Sequence, residues 1–366
     1  MKIALVHDHL TQDGGAEKVL KIFQEIFPEA PTYTLIYDKE KTDPIFQNRD
    51  IRTSFIQNFP FGIKKYQWFL SLMPLATEKH NLMEYDIVLS SSSAFAKGVI
   101  TKPDSLHICY CHTPTRYLWT DTHDYVANLN RNWLIKKIIP SILVDLRLWD
   151  RLAADRVDKF IANSKTVQER IKKYYRKESD IIHPPVETGK FQISNQIGNY
   201  YLAGGRLVPY KRFDLVIQAF NRLNIPLKIF GTGPEEEKLK ALAKPNIEFL
   251  GKVSDEELAR LYSQCIAFIH PQIEDFGITA IETMASGRPV IAFAAGGALE
   301  TVVDGTTGKF FDEQSWEALG DAIIRFQPEK FSPEKIKEHS RKFDILTFKQ
   351  KIKDYIERSW KEFKNI

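Results

Sequence analysis

Cysteine is scarce in this chain, with three residues in 366, at Cys109, Cys111 and Cys265. An odd, sparse set builds no disulfide framework and points to a reducing compartment, so the expectation is a cytoplasmic protein. No run reaches the ~18 apolar residues that a membrane-spanning helix needs. The N-terminus enters a strand-like run at once (Lys2-Ile3-Ala4-Leu5-Val6), without the apolar core and cleavage site of a secretion signal. No Gly-x-Gly-x-x-Gly follows that strand. The loop there reads Asp13-Gly14-Gly15-Ala16-Glu17, and no acid about 20 residues on is placed for a ribose, which disfavours a dinucleotide-dependent dehydrogenase. Cys109-Tyr110-Cys111-His112 has no partner pair at zinc-ligand spacing, so the two cysteines read as small apolar packing residues. His7-Asp8-His9 resembles metal ligands only superficially, because neighbours in a strand point to opposite faces. There is no Arg-rich tail and no aromatic–basic repeat, and nucleic acid is not an expected partner.

What is present is a soluble balance, 43% hydrophobic and 27% charged, on a chain too long for one ordinary core. Two domains are expected, 1–183 and 184–345, with a final helical segment 346–366. The net charge of +4 lies wholly in residues 1–183. A modest basic excess of that kind suits an anionic lipid surface or a phosphorylated acceptor. Two stretches interleave aromatics with lysine. One is 60–75 (Phe61, Tyr66, Trp68, Phe69 beside Lys64 and Lys65), the other 131–149 (Trp133, Trp149 beside Arg131, Lys136 and Lys137). Such stretches suit peripheral contact with an anionic membrane, and equally suit inward packing with solvated lysines.

Strand and helix patterns alternate throughout, which argues α/β architecture with parallel sheets. Strands are expected at 2–7, 33–37, 86–90, 106–111 and 158–162, a helix at 15–27, and a long helix at 132–155 interrupted or kinked at Pro140. The segment 183–199 reads as the connector. A second series follows, with strands at 200–203, 227–230, 247–250, 266–269 and 290–293, and a helix opened by the capping box Ser254-Asp255-Glu256-Glu257. Two doubly wound, Rossmann-like units result. Ligands of such units sit at the C-terminal ends of strands, and two units facing one another would enclose a cleft.

The densest information lies between 270 and 303. His270-Pro271-Gln272-Ile273-Glu274-Asp275-Phe276-Gly277-Ile278 leads from a strand into a helix that carries Glu282. Free N–H groups of Gly277, Ile278 and Thr279 would meet an anion at the helix start. Glu274 before the turn and Glu282 about one turn into the helix can each accept from a vicinal diol on either side of a diphosphate. That is a design for a sugar nucleotide. Gly204-Gly205-Arg206 and Lys211 follow another strand. The glycines allow close backbone approach, and a guanidinium fork with an ammonium suits a diphosphate.

The Glu274-x7-Glu282 spacing, with Phe276-Gly277, Gly287-Arg288-Pro289-Val290 and Gly296-Gly297, resembles the donor-binding motif of retaining glycosyltransferases of family 4, which have the GT-B fold. Glu274-Asp275-Phe276-Gly277 looks like bacterial GDP-mannose-dependent mannosyltransferases of surface polysaccharide synthesis. Asp275 departs from the family's usual glycine. The resemblance implies two Rossmann-like domains facing across a cleft, the first binding acceptor and the second nucleotide sugar, with the last helix crossing back to the first. It implies that Arg206 and Lys211 neutralise the departing diphosphate, that Glu274 orients the sugar together with N–H groups near Phe276, Gly277 and Ile278, and that Glu282 holds the ribose. Gly205 and Gly231 match turns lining the donor pocket, and Gly14 and Gly15 a loop near the donor phosphates. His112, in the run His112-Thr113-Pro114-x-Arg116-Tyr117-x-Trp119, matches the family's active-site histidine, and Arg116 is a candidate contact for acceptor or phosphate.

There is no Asp-x-Asp, the element through which many glycosyltransferases hold a metal-bound diphosphate. Protein cations would take that role, so no metal and no cofactor are expected. The expected activity is metal-independent, retaining transfer of a hexose, mannose favoured, from a nucleotide diphosphate sugar, GDP-mannose favoured, to a hydroxyl of a glycan or lipid-linked glycan. The alternatives are a sugar-nucleotide epimerase or hydrolase of the same fold, and a non-catalytic partner subunit.

Overall fold

The computed structural model describes residues 1–122 and 133–365. Residues 123–132, and the side chains at 133–136 and 138, lie outside it, so Arg131, Trp133 and Lys136 of the second aromatic–basic stretch are not placed. Contacts divide the chain into two units, Met1–Pro184 with Phe348–Ile366, and Pro185–Thr347.

In the first unit the strands β1 (Ile3–His7), β2 (Thr32–Thr34), β3 (Ile51–Thr53), β4 (Ile87–Ser92), β5 (Leu106–Cys111), β6 (Lys159–Ala162) and β7 (Ser179–Ile181) form a sheet in the order β3-β2-β1-β4-β5-β6-β7. Every pairing is parallel. All six residues of β4 and all six of β5 are buried, the continuous burial of strands covered on both faces. The helix Gly15–Ile26 buries Val19, Leu20, Ile22 and Phe23, one stripe at helical spacing. The helix Trp133–Asp155 contains Pro140 without ending there. The helix Ile345–Lys364 sends Phe348, Ile352, Tyr355 and Ile356 inward, and Phe348 stacks on Phe23 of the first unit.

The second unit repeats the plan. Strands β8 (Tyr201–Gly204), β9 (Leu227–Phe230), β10 (Ile247–Gly251), β11 (Phe268–His270), β12 (Val290–Phe293) and β13 (Gly308–Phe311) run parallel in the order β10-β9-β8-β11-β12-β13. Alternate residues feed two cores. Ala203, Ile229, Ile269 and Ile291 pack on one face with Val216 and Phe220. Leu202, Phe268, Val290 and Ala292 pack on the other with Tyr262, Ile281 and Met284.

The expected strand at 33–37 is shorter in the structure. Leu35–Tyr37 leave the ladder, and their backbone groups bond to the loop after β1 instead (Leu35 N–H to Asp8 O, Leu10 N–H to Ile36 O). The edge strands β3, β7 and β13 did not emerge from the periodicity. They read Ile51-Arg52-Thr53, Ser179-Asp180-Ile181 and Gly308-Lys309-Phe310-Phe311, short and interrupted by polar or glycine positions, so no apolar run marks them.

Candidate active site

In both sheets the strand order reverses beside the first strand of the unit, between β1 and β4 and between β8 and β11. Loops leaving opposite faces diverge there and open a crevice at the C-terminal strand ends. The chemistry-bearing residues of each unit gather at these points.

In the second unit, β8 ends at Gly204 and runs into Gly205, Arg206 and a short 3-10 turn Pro209–Lys211. β11 ends at His270 and runs into Glu274. The structure brings the two loops together through one ion pair, Lys211 Nζ to Glu274 Oε1 at 2.9 Å, with the side chains only 11% and 18% exposed. Burial works to raise the Glu274 pKa. The Lys211 ammonium and the neighbouring His270 and Gln272 outweigh it, and the carboxyl sits below its ordinary range. Arg206 is exposed on the same loop, and no side-chain hydrogen bond or ion pair engages it among the described residues. Arg212 is occupied elsewhere, held by Asp214 at 3.1 Å and by Gln314.

Glycine makes these loops possible. Gly205 has φ +126° and its Cβ would lie 2.8 Å from Lys211 Nζ. Gly231 has φ +103° and a Cβ there would fall 1.9 Å from Gly205 O. Both positions need left-handed backbone and close approach, which only glycine supplies without strain. Gly277, at φ +92°, begins the helix Ile278–Ala285. That leaves first-turn N–H groups without intrahelical acceptors. The Phe276 side chain points the other way, buried in the core against Phe343. Glu282 is half-buried on the helix and accepts from Tyr262 Oη at 3.1 Å.

Sequence reasoning singled out neither His270 nor Gln272 as a site residue. Both are 1% exposed, and Gln272 Nε2 donates to His270 Nδ1 at 3.2 Å. His270 Nε2, Gln272 Oε1 and Thr279 Oγ1 are buried without hydrogen-bond partners. The only signal available in the sequence was polarity at a strand's end, where apolar packing is the rule.

In the first unit, parallel pairing sets His7 opposite Ser91. His7 Nδ1 lies 3.1 Å from Ser91 Oγ, and Ser91 Oγ lies 2.8 Å from His112 Nε2. His7 Nε2 faces Glu17 Oε1 at 3.9 Å, and Glu17 Oε2 accepts the Gly14 N–H at 3.0 Å. Gly14 caps the helix that Gly15 begins, and a Cβ on Gly14 would sit 2.9 Å from Glu17 Oε2. Burial pushes the His112 pKa down to about 4. Asp8 turns inward and accepts backbone N–H groups from Ser93, Ala94, Phe95 and Ala96 at 2.6–2.9 Å. Among the described residues no cluster of three His, Cys, Asp or Glu could hold a metal.

The run after His112 carries more architecture than its motif suggests. Asp150, 1% exposed, accepts from Thr115 Oγ1 (2.7 Å), Trp119 Nε1 (2.8 Å), Tyr175 Oη (2.9 Å) and Lys97 Nζ (2.5 Å). Thr115 and Trp119 therefore anchor the loop to the long helix. Arg116 is held by Asp121, with Nε to Oδ2 at 2.8 Å. Cys109 and Cys111 pack in an apolar cluster with Ala154 and Val167.

Residues 189–343 match the family model of glycosyl transferases group 1. Among curated proteins, the chain is 29% identical over 54% of its length to the uncharacterized glycosyltransferase MJ1178 of Methanocaldococcus jannaschii, covering 58% of that protein. It is 26% identical to alpha-1,3/1,6-mannosyltransferase ALG2 of Dictyostelium discoideum, over 62% of this chain and 63% of that one. It is 29% identical to the O-antigen chain mannosyltransferase RfbU of Salmonella typhimurium, over 48% of this chain and 56% of that one. The chain thus spans under two thirds of the length of these relatives. Anabaena Alr3699/HepE, solved in complex with UDP, superposes with a TM-score of 0.70 at 18% identity, over 98% of this chain and 100% of the other. Sucrose-phosphate synthase from Thermosynechococcus elongatus gives 0.74 at 16% identity, over 98% and 99%. The fold is that of the GT-B glycosyltransferases.

Proposed function

We propose that this chain, whose residues 189–343 match the family model of glycosyl transferases group 1, is a retaining, metal-independent glycosyltransferase. It moves a hexose, mannose favoured, from a nucleotide diphosphate sugar to a hydroxyl of a glycan or lipid-linked glycan. The observation that carries the reading is the Lys211–Glu274 pair, 2.9 Å apart at the strand-order reversal beside a helix N-terminus.

Each part has a use in transfer. A carboxylate held ionised by Lys211 accepts sugar hydroxyls with charge-assisted bonds. The Lys211 ammonium and the exposed Arg206 guanidinium stabilise charge on the leaving diphosphate, a contribution of the kind worth about 3 kcal/mol per donor. First-turn N–H groups at Gly277–Thr279 add to the same anion site. With protein cations so placed, no metal is required. Glu282, steadied by Tyr262, takes the ribose. Three buried polar atoms left unpartnered around this loop suit a polar ligand. In the transfer step the bond from the sugar's anomeric carbon to the phosphate oxygen breaks. The acceptor oxygen bonds to the same face, and its proton passes to the leaving phosphate.

The names of ALG2 and RfbU support mannose. HepE was solved with UDP and with UDP-glucose, so the base needs its own test. A thermal-shift panel of GDP- and UDP-sugars, followed by an acceptor screen with chelator present, supplies it. The expected result is stabilisation by GDP-mannose and undiminished transfer in chelator. No stabilisation by any nucleotide sugar would refute the reading.

Membrane contact belongs to the same proposal. Phe61 and Trp68 are 61% and 52% exposed, with Lys65 Nζ over both rings at 5.2 and 4.3 Å. Co-sedimentation with anionic vesicles, lost in Phe61→Ser/Trp68→Ser, is the expected outcome. Equal sedimentation of the double variant would remove this contact.

A further inference from the structure

The Glu17–His7–Ser91–His112 chain at the end of β1 has a direction, and hydrogen-bond chemistry sets it. An ionised carboxylate only accepts, a neutral imidazole has one donor and one acceptor, and a hydroxyl has one proton to give. Glu17 is kept in the charged form. Burial works to raise its pKa, while His7 and backbone N–H groups bring it below the ordinary value. Its oxygen faces His7 Nε2, 3.9 Å away, with both side chains 3% exposed. In so dry a place the carboxylate's field favours the His7 proton on the nearer nitrogen. A neutral His7 with its proton on Nε2 has an Nδ1 that accepts from Ser91 Oγ–H, and Ser91 Oγ then accepts from His112 Nε2–H. Each proton points toward Glu17. His112 carries one ring proton at neutral pH, so its other nitrogen is bare. His112 is half-buried, and Nδ1 has no hydrogen-bond partner among the described residues.

We propose that Glu17, His7 and Ser91 are positioning residues that lock His112 as the Nε2–H tautomer and present its Nδ1 lone pair to a carbohydrate hydroxyl. A bare nitrogen accepts a hydroxyl proton and repels a phosphate oxygen. At His112 the first unit therefore reads a sugar hydroxyl and not a phosphate oxygen. The identity of the ligand rests on the transferase reading above; the tautomer does not.

The test is histidine-labelled full-length protein, with the His112 ring signals assigned by comparison with His112→Gln. The ring nitrogen shifts at neutral pH should report Nε2–H in the absence of any ligand. A proton on Nδ1 overturns the proposal. Glu17→Gln keeps an oxygen for the Gly14 N–H and can turn an amide N–H toward His7. Every donor in the chain then reverses, and His112 should change to Nδ1–H. An unchanged Nε2–H signal in that variant overturns the claim that the carboxylate sets the direction. In transfer assays Ser91→Ala should lose roughly tenfold in kcat/KM, about 1.4 kcal/mol of barrier, and Ser91→Thr, which keeps the hydroxyl, should recover most of it. A wild-type kcat/KM in Ser91→Ala contradicts the relay. Because the spectra need no substrate, a protein that shows Nε2–H yet transfers no sugar would retire the transferase reading and leave the relay standing.

Discussion

At Glu274 two forces act on one carboxyl group. Burial favours the neutral acid and Lys211 favours the anion, and the net result lies below the ordinary value of 4.5. A depressed folded pKa contributes stability that is fully present above the unfolded value, about pH 4.5, and is lost as pH falls through the folded pKa. Lys211→Met removes the opposing charge and leaves the burial. The acid limb of donor binding should move to higher pH in that variant, read by titrating binding from pH 3 to 7. A limb that stays in place would show that Lys211 does not set the charge of Glu274. Lys211→Ala and Glu274→Ala should each abolish transfer while the circular-dichroism spectrum stays native. Asp150 is the structural counterpart, buried and bonded to four side chains. Asp150→Ala strands Lys97, also 1% exposed, and should cost about 3–5 kcal/mol in urea unfolding. A loss under about 1 kcal/mol would mean that water replaces the carboxylate.

At the scale of elements, the loops matter more than the strands that carry them. Gly297 N–H donates to Glu274 O at 2.8 Å, and a Cβ on Gly296, at φ +61°, would lie 2.5 Å from that same oxygen. The turn after β12 therefore cradles the Glu274 loop. Gly296→Ala should weaken nucleotide-sugar binding by at least tenfold with a change of only a few degrees in Tm, measured by calorimetry and thermal unfolding. Unchanged affinity would show that the loop tolerates displacement. Much of this plan could be read from the residues alone. The strands β4, β5 and β12 declare themselves as apolar runs, and the Ser254 cap is where its motif put it, with Ser254 Oγ accepting the Glu257 N–H. Glu274 and Lys211 were named from spacing, but their contact was not, since 63 residues separate them and only the parallel order β8-β11 makes them neighbours. The Glu17–His7–Ser91–His112 chain was hidden for the same reason. His7 drew notice only as a superficial likeness to a metal ligand and Ser91 drew none, and only the β1–β4 register sets them opposite each other. Trp119 shows the converse, a motif position whose side chain is taken up by Asp150, together with Thr115 between the motif residues.

At the scale of the molecule, each unit is a complete parallel sheet with its own core, and the last helix joins the first. Ile352 is fully buried there. Ile352→Ala should cost about 2–5 kcal/mol in the first unit and leave unaltered the nucleotide-sugar affinity proposed for the second. A parallel loss of donor affinity would contradict that division.

The most direct measurement is calorimetric titration of the full-length protein with GDP-mannose and UDP-glucose, in the wild type and in Glu274→Gln and Lys211→Ala. The wild type should bind a nucleotide sugar saturably, and both variants should lose at least tenfold in affinity. Equal affinity in all three proteins, or no binding in any, would contradict the proposed function.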